Sequence, residues 1–146
     1  MKASIKTGFI GGCIGAIVLV AIMYIVKAAG MGEPGFIGMY RGMTHSNSAS
    51  DPLIAGLLFV VLGGGIWGII FALLVKNPTV IKGILFGFLP TLWLWTAVNA
   101  MVGKHLFNGF DLMGIVMPLI FNMLVWGGIL GWYCTGRTTS RSIKNP

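Results

Sequence analysis

The chain has 146 residues, of which 56% are hydrophobic and 9% are charged, and its formal net charge is +7. A soluble globular domain carries about 25% charged residues, so this composition excludes an ordinary water-soluble protein. The basic residues lie between long uncharged stretches and form no continuous basic face with interleaved aromatic residues, which excludes a nucleic-acid-binding protein.

Four uncharged stretches, each at least 20 residues long, follow one another along the chain. A helix needs about 20 apolar residues to cross the hydrocarbon core of a bilayer, and runs this continuous differ from the alternating strands of a barrel. We therefore predict an all-α membrane protein, a single four-helix transmembrane domain over residues 1–146. The predicted spans are about 8–27, 53–75, 82–103 and 112–134, with an outer loop at 30–50 and a basic C-terminal tail at 135–146.

Lysine and arginine divide unequally between the two sides that these spans define. One side carries seven of them: Lys2, Lys6, Lys76, Lys82, Arg137, Arg141 and Lys144. The other side carries Lys27, Arg41 and Lys104, together with all three acids, Glu33, Asp51 and Asp111. Cytoplasmic loops are the ones rich in Lys and Arg, so we predict cytoplasmic N and C termini and a multi-pass protein of the bacterial cytoplasmic (inner) membrane.

Two cysteines, Cys13 and Cys134, fall near the side predicted to be cytoplasmic, where thiols stay reduced. We therefore expect no structural disulfide between them, and a small apolar role for each.

Each span contains glycines spaced four residues apart. Such pairs lie on one helix face and let two backbones approach closely, which replaces the hydrophobic driving force that lipid removes. All of them lie in the cytoplasmic half of a span or near its middle, so we expect tight packing there and a bundle that spreads toward the outer side. The predicted helix-packing residues are Gly8, Gly12, Gly11, Gly15, Gly64, Gly68, Gly83, Gly87, Gly127 and Gly131.

The two halves of the chain resemble each other. Ile5-Lys6 followed by Gly11 matches Ile81-Lys82 followed by Gly87, and the segment 64–68 matches the segment 127–131. This pattern favours two repeated hairpins of the same orientation. A chance similarity between two glycine-rich apolar helices is the alternative.

Polar residues inside the spans are few. Asn99 and Asn122 either hydrogen-bond between helices or face a polar cavity for a ligand head group, and nearby prolines free backbone carbonyls for packing or for a site. Asp51 and Asp111 each directly precede an apolar run, which is typical of a residue that caps a helix. Catalysis or metal binding by these carboxylates is the alternative.

The outer loop is long for a chain of this size and is rich in apolar residues. We predict that it contacts a partner through Phe36, Ile37, Met39, Tyr40 and Met43. A metal site is the alternative, because thioethers and imidazoles together suit Cu(I). Its ligands would be His45, His105, Met39 and Met43.

Two segments, Lys82 to Pro90 (KGILFGFLP) and Trp126 to Gly131 (WGGILG), resemble small bacterial four-helix inner-membrane proteins of uncharacterised function. The resemblance covers most of the chain in layout. It implies the same four-helix fold and supplies no catalytic residues.

Apart from Lys27 and Lys82 at the span ends, the predicted spans contain no Asp, Glu, His, Lys or Arg, which argues against a proton relay, an ion-coupled pump or an enzyme acting within the membrane. We predict a non-catalytic accessory or assembly subunit that packs against larger integral membrane protein subunits. We expect bound lipid and no other cofactor. The alternative is a membrane protein that handles a small solute or a metal (Cu) in an outer-side cavity, and an enzyme acting on lipids is a third possibility.

Overall fold

A computed structural model describes the backbone of residues 2–142 and the side chains of residues 2–137. The described residues form helices and no β-strand, apart from one isolated backbone bridge between Lys2 and Lys76. Four of the helices are long and apolar enough to cross a membrane, which confirms that prediction. The helices are α1 (Ile5–Ala28), the short α2 (Gly35–Thr44), α3 (Asp51–Leu74), α4 (Val80–Met101) and α5 (Leu112–Arg137).

Capping side chains define the first residues of α1, α4 and α5. The side-chain oxygens of Ser4, Thr79 and Asp111 each accept a hydrogen bond from the backbone N–H three residues later, at 3.0, 3.2 and 2.7 Å. These bonds satisfy N–H groups that have no partner within the helix. The capping prediction for Asp111 is therefore confirmed.

Three of the spans contain π-helical stretches, at Phe59–Ile66, Leu94–Val98 and Ile120–Gly127. The last helical segment of α5, Gly128–Ser142, extends beyond Arg137. The first part of the predicted tail at 135–146 is therefore helical, and residues 143–146 of that prediction lie outside the described residues.

The spans form two antiparallel hairpins. The first consists of α1 and α3, with α2 in the connection between them, and the second consists of α4 and α5. We call the side that carries α2 and the connection at 102–111 the α2 side. The opposite side, which carries the N-terminus and the connection at 75–79, is the terminal side.

Glycines form the contact between α1 and α3. A Cβ atom added at Gly8 would meet the carbonyl oxygen of Gly68, and one added at Gly12 would meet that of Gly64. A Cβ atom at Gly64 would lie 2.6 Å from the carbonyl oxygen of Gly12. The two backbones are therefore in direct contact, at a separation that only glycine permits.

Glycines also form the contact between α4 and α5. A Cβ atom at Gly83 would lie 2.7 Å from the Cα of Gly131, and one at Gly87 would lie 2.7 Å from the Cα of Met123. A Cβ atom at Gly127 would lie 2.9 Å from the carbonyl carbon of Gly83. Both hairpins are thus closed by backbone contacts on the terminal side.

A second glycine face on α1 joins the two hairpins. A Cβ atom at Gly15 would lie 2.9 Å from Cδ1 of Trp126, and one at Gly11 would lie 2.9 Å from Cδ1 of Tyr133. Trp126 is buried, and its Nε1 donates a hydrogen bond of 3.0 Å to the carbonyl oxygen of Gly12. The small glycines therefore leave room for two aromatic rings of α5 against α1.

The apolar core lies next to this contact between the hairpins, on the terminal side. The rings of Phe71 in α3 and Phe86 in α4 meet edge to face, with centroids 5.2 Å apart, an arrangement that aromatic pairs favour. The buried members of the core are Ala3, Ala16, Leu19, Phe71, Ala72, Phe86, Trp126, Leu130 and Cys134.

The hairpins spread apart toward the α2 side. The halves of α4 and α5 on that side pack mainly on each other, and the first turns of α5, Leu112–Leu119, contain no buried residue. The helix α2 reaches across this space, where a Cβ atom at Gly42 would lie 3.0 Å from the Cβ of Val102.

Paired alanine substitutions test whether the backbone contacts stabilise the fold. At Gly64 the new methyl group would collide with the backbone of α1, whereas at Gly63 it would meet only the ring of Phe59, at 3.4 Å. We expect Gly64→Ala to lower the free energy of unfolding by about 1–3 kcal/mol. Gly63→Ala should leave it unchanged or raise it, because alanine has the higher helix propensity.

Thermal unfolding in a mild detergent measures the difference. Gly127→Ala against Gly128→Ala repeats the comparison on α5, since a Cβ atom at Gly128 would meet only Ile84, at 3.9 Å. Equal unfolding temperatures within both pairs would show that these glycines do not determine helix packing.

Candidate functional site

The outer loop does not present the partner-contact surface that the sequence predicts. Residues 35–44 form α2, which folds back onto the first hairpin. Phe36 and Ile37 are 3% and 0% exposed, and they pack against residues of α1 and α3, including Ala55 and Phe59. Their apolar side chains are buried within the chain itself, so these two residues are not exposed for contact with a partner.

The remaining residues of that prediction are only partly covered. Met39 and Tyr40 are half-buried, and Met43 is exposed. Because α2 buries the side that carries Phe36 and Ile37, only these three residues of the predicted surface remain accessible.

A polar network holds α2 in place. Asp51 is buried, and its carboxylate accepts hydrogen bonds from Arg41 Nε (3.1 Å), Ser46 Oγ (2.8 Å) and the Ser48 backbone N–H (2.8 Å). Arg41 also donates two hydrogen bonds to Glu33, at 3.0 and 3.2 Å. A buried carboxylate needs such partners, and they tie α2 to the start of α3.

The prediction that Asp51 caps α3 is wrong. Its carboxylate accepts from the N–H of Ser48, which precedes it, and receives no hydrogen bond from the first turn of α3. The connection between α2 and α3 folds back over the start of the helix, so Asp51 bonds to this connection and to Arg41.

Replacement of Asp51 by asparagine tests the network. We expect Asp51→Asn to leave the four spans intact but to release α2, because Arg41 loses its buried carboxylate partner. Hydrogen exchange of the peptides that cover residues 35–44 should then become several-fold faster. Glu33→Gln is the matched control: it removes the other, solvent-screened carboxylate partner of Arg41, and it should change the exchange little. Equal protection of α2 in both variants would contradict this role for Asp51.

The two asparagines do not share one cavity. Asn122 lies within α5 and its Nδ2 donates to Thr91 Oγ1 of α4 (3.1 Å), while Thr91 donates to the carbonyl oxygen of Gly87 (2.9 Å). Asn99 lies near the α2 side of α4 and donates to Asn108 Oδ1 (2.8 Å). Each asparagine therefore forms hydrogen bonds between elements of the second hairpin.

The connection that Asn99 contacts has an unusual backbone. Phe107, Asn108, Gly109 and Phe110 all have positive φ angles, between 51° and 66°. Glycine and asparagine tolerate this left-handed region, but a bulky residue such as phenylalanine adopts it only under strain. We call residues 106–110 the left-handed loop.

The side chain of Asn108 fixes the left-handed loop from two directions. Its Oδ1 accepts from Asn99, and its Nδ2 donates a hydrogen bond of 2.7 Å to the carbonyl oxygen of Gly114 in α5. Trp95 Nε1 donates to the same carbonyl at 3.3 Å. Pro118 explains why this carbonyl is free: it lies four residues after Gly114 and has no N–H to donate.

The left-handed loop presents apolar side chains to the surroundings. Phe110 is 77% exposed, and Leu112, at the start of α5, is 72% exposed. Lys104, His105 and Asp111 flank the loop and are exposed. We call the exposed residues Leu106, Phe110, Leu112 and Met113 the Phe110 surface.

The residues of the copper hypothesis belong to two different connections. Met43 and His45 lie at the end of α2, where His45 has a φ of +53°, while His105 precedes the left-handed loop. Met39 is half-buried within α2. The part of the chain that the structure describes contains no group of three His, Cys, Asp or Glu residues placed to hold a metal ion. Copper binding through His and Met stays a prediction.

The comparison with protein families shows what the chain is related to. A model described as a family of unknown function (DUF6789) matches residues 2–144 and therefore covers all four spans. The chain belongs to this family. No curated protein and no solved structure matches the chain.

In this DUF6789 chain, sequence reasoning missed the residues that fix the left-handed loop. The Asn108-Gly109 pair is a turn signal, and Pro118 predicts a free carbonyl at Gly114. Together, these two signals could have indicated where the unusual backbone forms. The sequence held no indication that Asn99 and Trp95 would supply the partners, because these contacts depend on how α4 packs on α5.

Proposed function

We propose that this chain is a non-catalytic accessory or assembly subunit of a larger membrane-protein complex, and that the Phe110 surface contacts the larger integral membrane subunits. This proposal keeps the function that the sequence predicts but places the partner contact on the second hairpin and not on α2. The move follows from the burial of Phe36 and Ile37.

The strain in the left-handed loop is the observation that carries this proposal. Left-handed non-glycine residues cost about 1–3 kcal/mol each, and they persist where surrounding contacts hold them and function uses the geometry. Asn108 supplies those contacts through Asn99 and Gly114. A loop maintained at this cost holds Phe107 stacked on Phe110, with ring centroids 5.8 Å apart and planes at 18°. The pair is therefore a rigid apolar projection.

The uncovered face of α5 extends this surface into the membrane. Leu112–Leu119 has no buried residue, and the helices α1 and α3 pack mainly on the terminal half of the second hairpin. A transmembrane partner could contact this half of the hairpin without displacing any helix of the chain.

The polar side chains of the spans already have structural roles, which favours a non-catalytic function. Every buried side-chain N or O atom among the described residues has a hydrogen-bond partner. Asn122, for example, donates to Thr91 Oγ1, and Thr91 donates to the carbonyl oxygen of Gly87. Catalytic and proton-relay groups within a membrane are usually Asp, Glu, His, Lys or Arg, and the predicted spans carry none of these apart from Lys27 and Lys82 at their ends.

We also propose that the two hairpins are repeats that insert in the same direction. In both hairpins the first helix starts on the terminal side and meets the second helix at glycines: Gly8 with Gly68, and Gly83 with Gly131. The short similarities between the two halves of the sequence support this interpretation.

We propose that the terminal side is cytoplasmic, because five of the eight lysines and arginines whose side chains the structure describes belong to it: Lys2, Lys6, Lys76, Lys82 and Arg137. Single cysteines in place of Ala49 and Thr79, in a chain with Cys13 and Cys134 replaced by alanine, test the orientation in intact bacteria. A membrane-impermeant maleimide should label the cysteine at 49 but should label the one at 79 only after lysis. Labelling at 79 from outside would reverse the proposed topology.

The partner contact is tested by replacing Phe110 with serine. We expect Phe110→Ser to weaken the complex about 30-fold, the effect of losing about 2 kcal/mol at an aromatic contact. The measurement is the amount of each larger subunit that co-purifies from native membranes in mild detergent, compared with the unmodified chain at equal expression.

Met31→Ser is the matched control, because Met31 is an exposed apolar residue on the α2 side that belongs to the first hairpin. It should leave co-purification unchanged. The proposal is wrong if Phe110→Ser retains the partner, or if the native protein purifies as a lone monomer or homo-oligomer.

A further inference from the structure

A shallow groove opens on the terminal side, where the connection at 75–79 leads into α4. It has a volume of about 400 Å³. Two kinds of residue line it, lysines near the connection and apolar residues on α4 below them. The lining residues are Val75, Lys76, Lys82, Leu85, Phe86 and Leu89.

The helical spacing of α4 sets the order of these side chains. Lys82, Leu85 and Leu89 lie at positions i, i+3 and i+7, so they follow one face of the helix. Leu89 lies roughly 10 Å further along the helix axis than Lys82, at 1.5 Å per residue. Phe86 is buried against Phe71 and forms the floor. The groove is therefore basic at the membrane surface and apolar toward the membrane interior.

Backbone carbonyls hold the ammonium group of Lys82 at the head of the groove. Its Nζ donates to the carbonyl oxygens of Lys76 (2.8 Å) and Asn77 (2.9 Å), which follow the last turn of α3. A lysine ammonium has three N–H donors, so one remains for a ligand. The side chain of Lys76 is exposed beside it.

Among the described residues, no acidic side chain lies near these charges. All three acidic residues, Glu33, Asp51 and Asp111, belong to the α2 side. Lys2 adds a further positive charge on the terminal side, where its Nζ donates to the carbonyl oxygen of Leu73 (2.7 Å). An anion in the groove would therefore meet attractive charges without a competing acidic side chain among the described residues.

We propose that this groove binds one anionic glycerophospholipid, with its phosphate at Lys76 and Lys82 and an acyl chain along Leu85 and Leu89. Basic pockets beside transmembrane helices recognise anionic head groups through such charges. The apolar floor favours a lipid over a free anion, because only a lipid fills both parts of the groove. This site is independent of the Phe110 surface, which lies on the opposite side of the bundle.

Native mass spectrometry of the purified full-length chain tests the site. The protein is mixed in detergent with dioleoyl phosphatidylglycerol or with dioleoyl phosphatidylcholine, and the bound lipids are counted. We expect one phosphatidylglycerol that resists collisional removal and no equivalent phosphatidylcholine. Equal retention of the two lipids would overturn the proposal.

Two charge-removing variants distinguish this groove from general attraction to a basic surface. Lys76→Gln should weaken phosphatidylglycerol binding about fivefold, the contribution of one lysine near a membrane surface. Lys6→Gln removes the same charge from another exposed position on the terminal side, and it should have little effect. An equal loss in both variants would mean that no specific groove is involved.

A bulky substitution distinguishes a lipid from a free phosphate. Leu85→Trp fills the apolar part of the groove and leaves both lysines, so it should abolish the retained phosphatidylglycerol. Leu57→Trp is the control, because Leu57 is similarly exposed on α3, and it should not. If inorganic phosphate raises the unfolding temperature as much as phosphatidylglycerol does, and Leu85→Trp changes neither effect, the site binds a free anion and the lipid proposal is wrong.

Discussion

Direct backbone contact between helices is the interaction on which the rest of this structure depends. In lipid the burial of apolar side chains supplies no driving force between helices, so close van der Waals packing must supply it. Gly8 and Gly12 against Gly68 and Gly64 close the first hairpin in this way, and Gly83 against Gly131 closes the second. The contacts between the hairpins, Gly11 against Tyr133 and Gly15 against Trp126, also lie on the terminal side, so the hairpins are held together there and spread apart on the other side.

Because the hairpins spread apart, the α2 side is stabilised differently on each of them. On the first hairpin, α2 covers the helices with Phe36 and Ile37, and the Arg41–Asp51 network ties it down. The second hairpin has no such cover. On this side, hydrogen bonds to the carbonyl oxygen of Gly114, which Pro118 leaves free, join α5 to α4 and to the left-handed loop. The chain thus covers the connection of the first hairpin with its own residues and leaves that of the second uncovered, which is why the proposed partner contact lies on the second.

Periodicity and charge in the sequence were enough to predict the spans and the residues on which they pack. Apolar length predicts four helices because the bilayer thickness is fixed. A pair of glycines four residues apart lies on one face of any helix, so the faces carrying Gly64 and Gly127 could be assigned without a structure. The cap at Asp111 is equally local, since its partner is the N–H three residues later. Interactions of this kind depend only on neighbours along the chain.

Only the tertiary structure decided how the connections between the spans fold and which of their side chains are exposed. Asp51 precedes an apolar run as Asp111 does, yet it bonds backward to Ser48 and to Arg41, because α2 packs on the first hairpin and brings Arg41 within reach. The aromatic residue at 36 is buried and the one at 110 is exposed for the same reason: α1 and α3 cover one connection and not the other. Sequence alone determined which segments are long and apolar enough to cross a membrane, since that depends on the composition of each segment. Which apolar residues remain exposed depends on contacts between distant segments, and these form only when the helices pack.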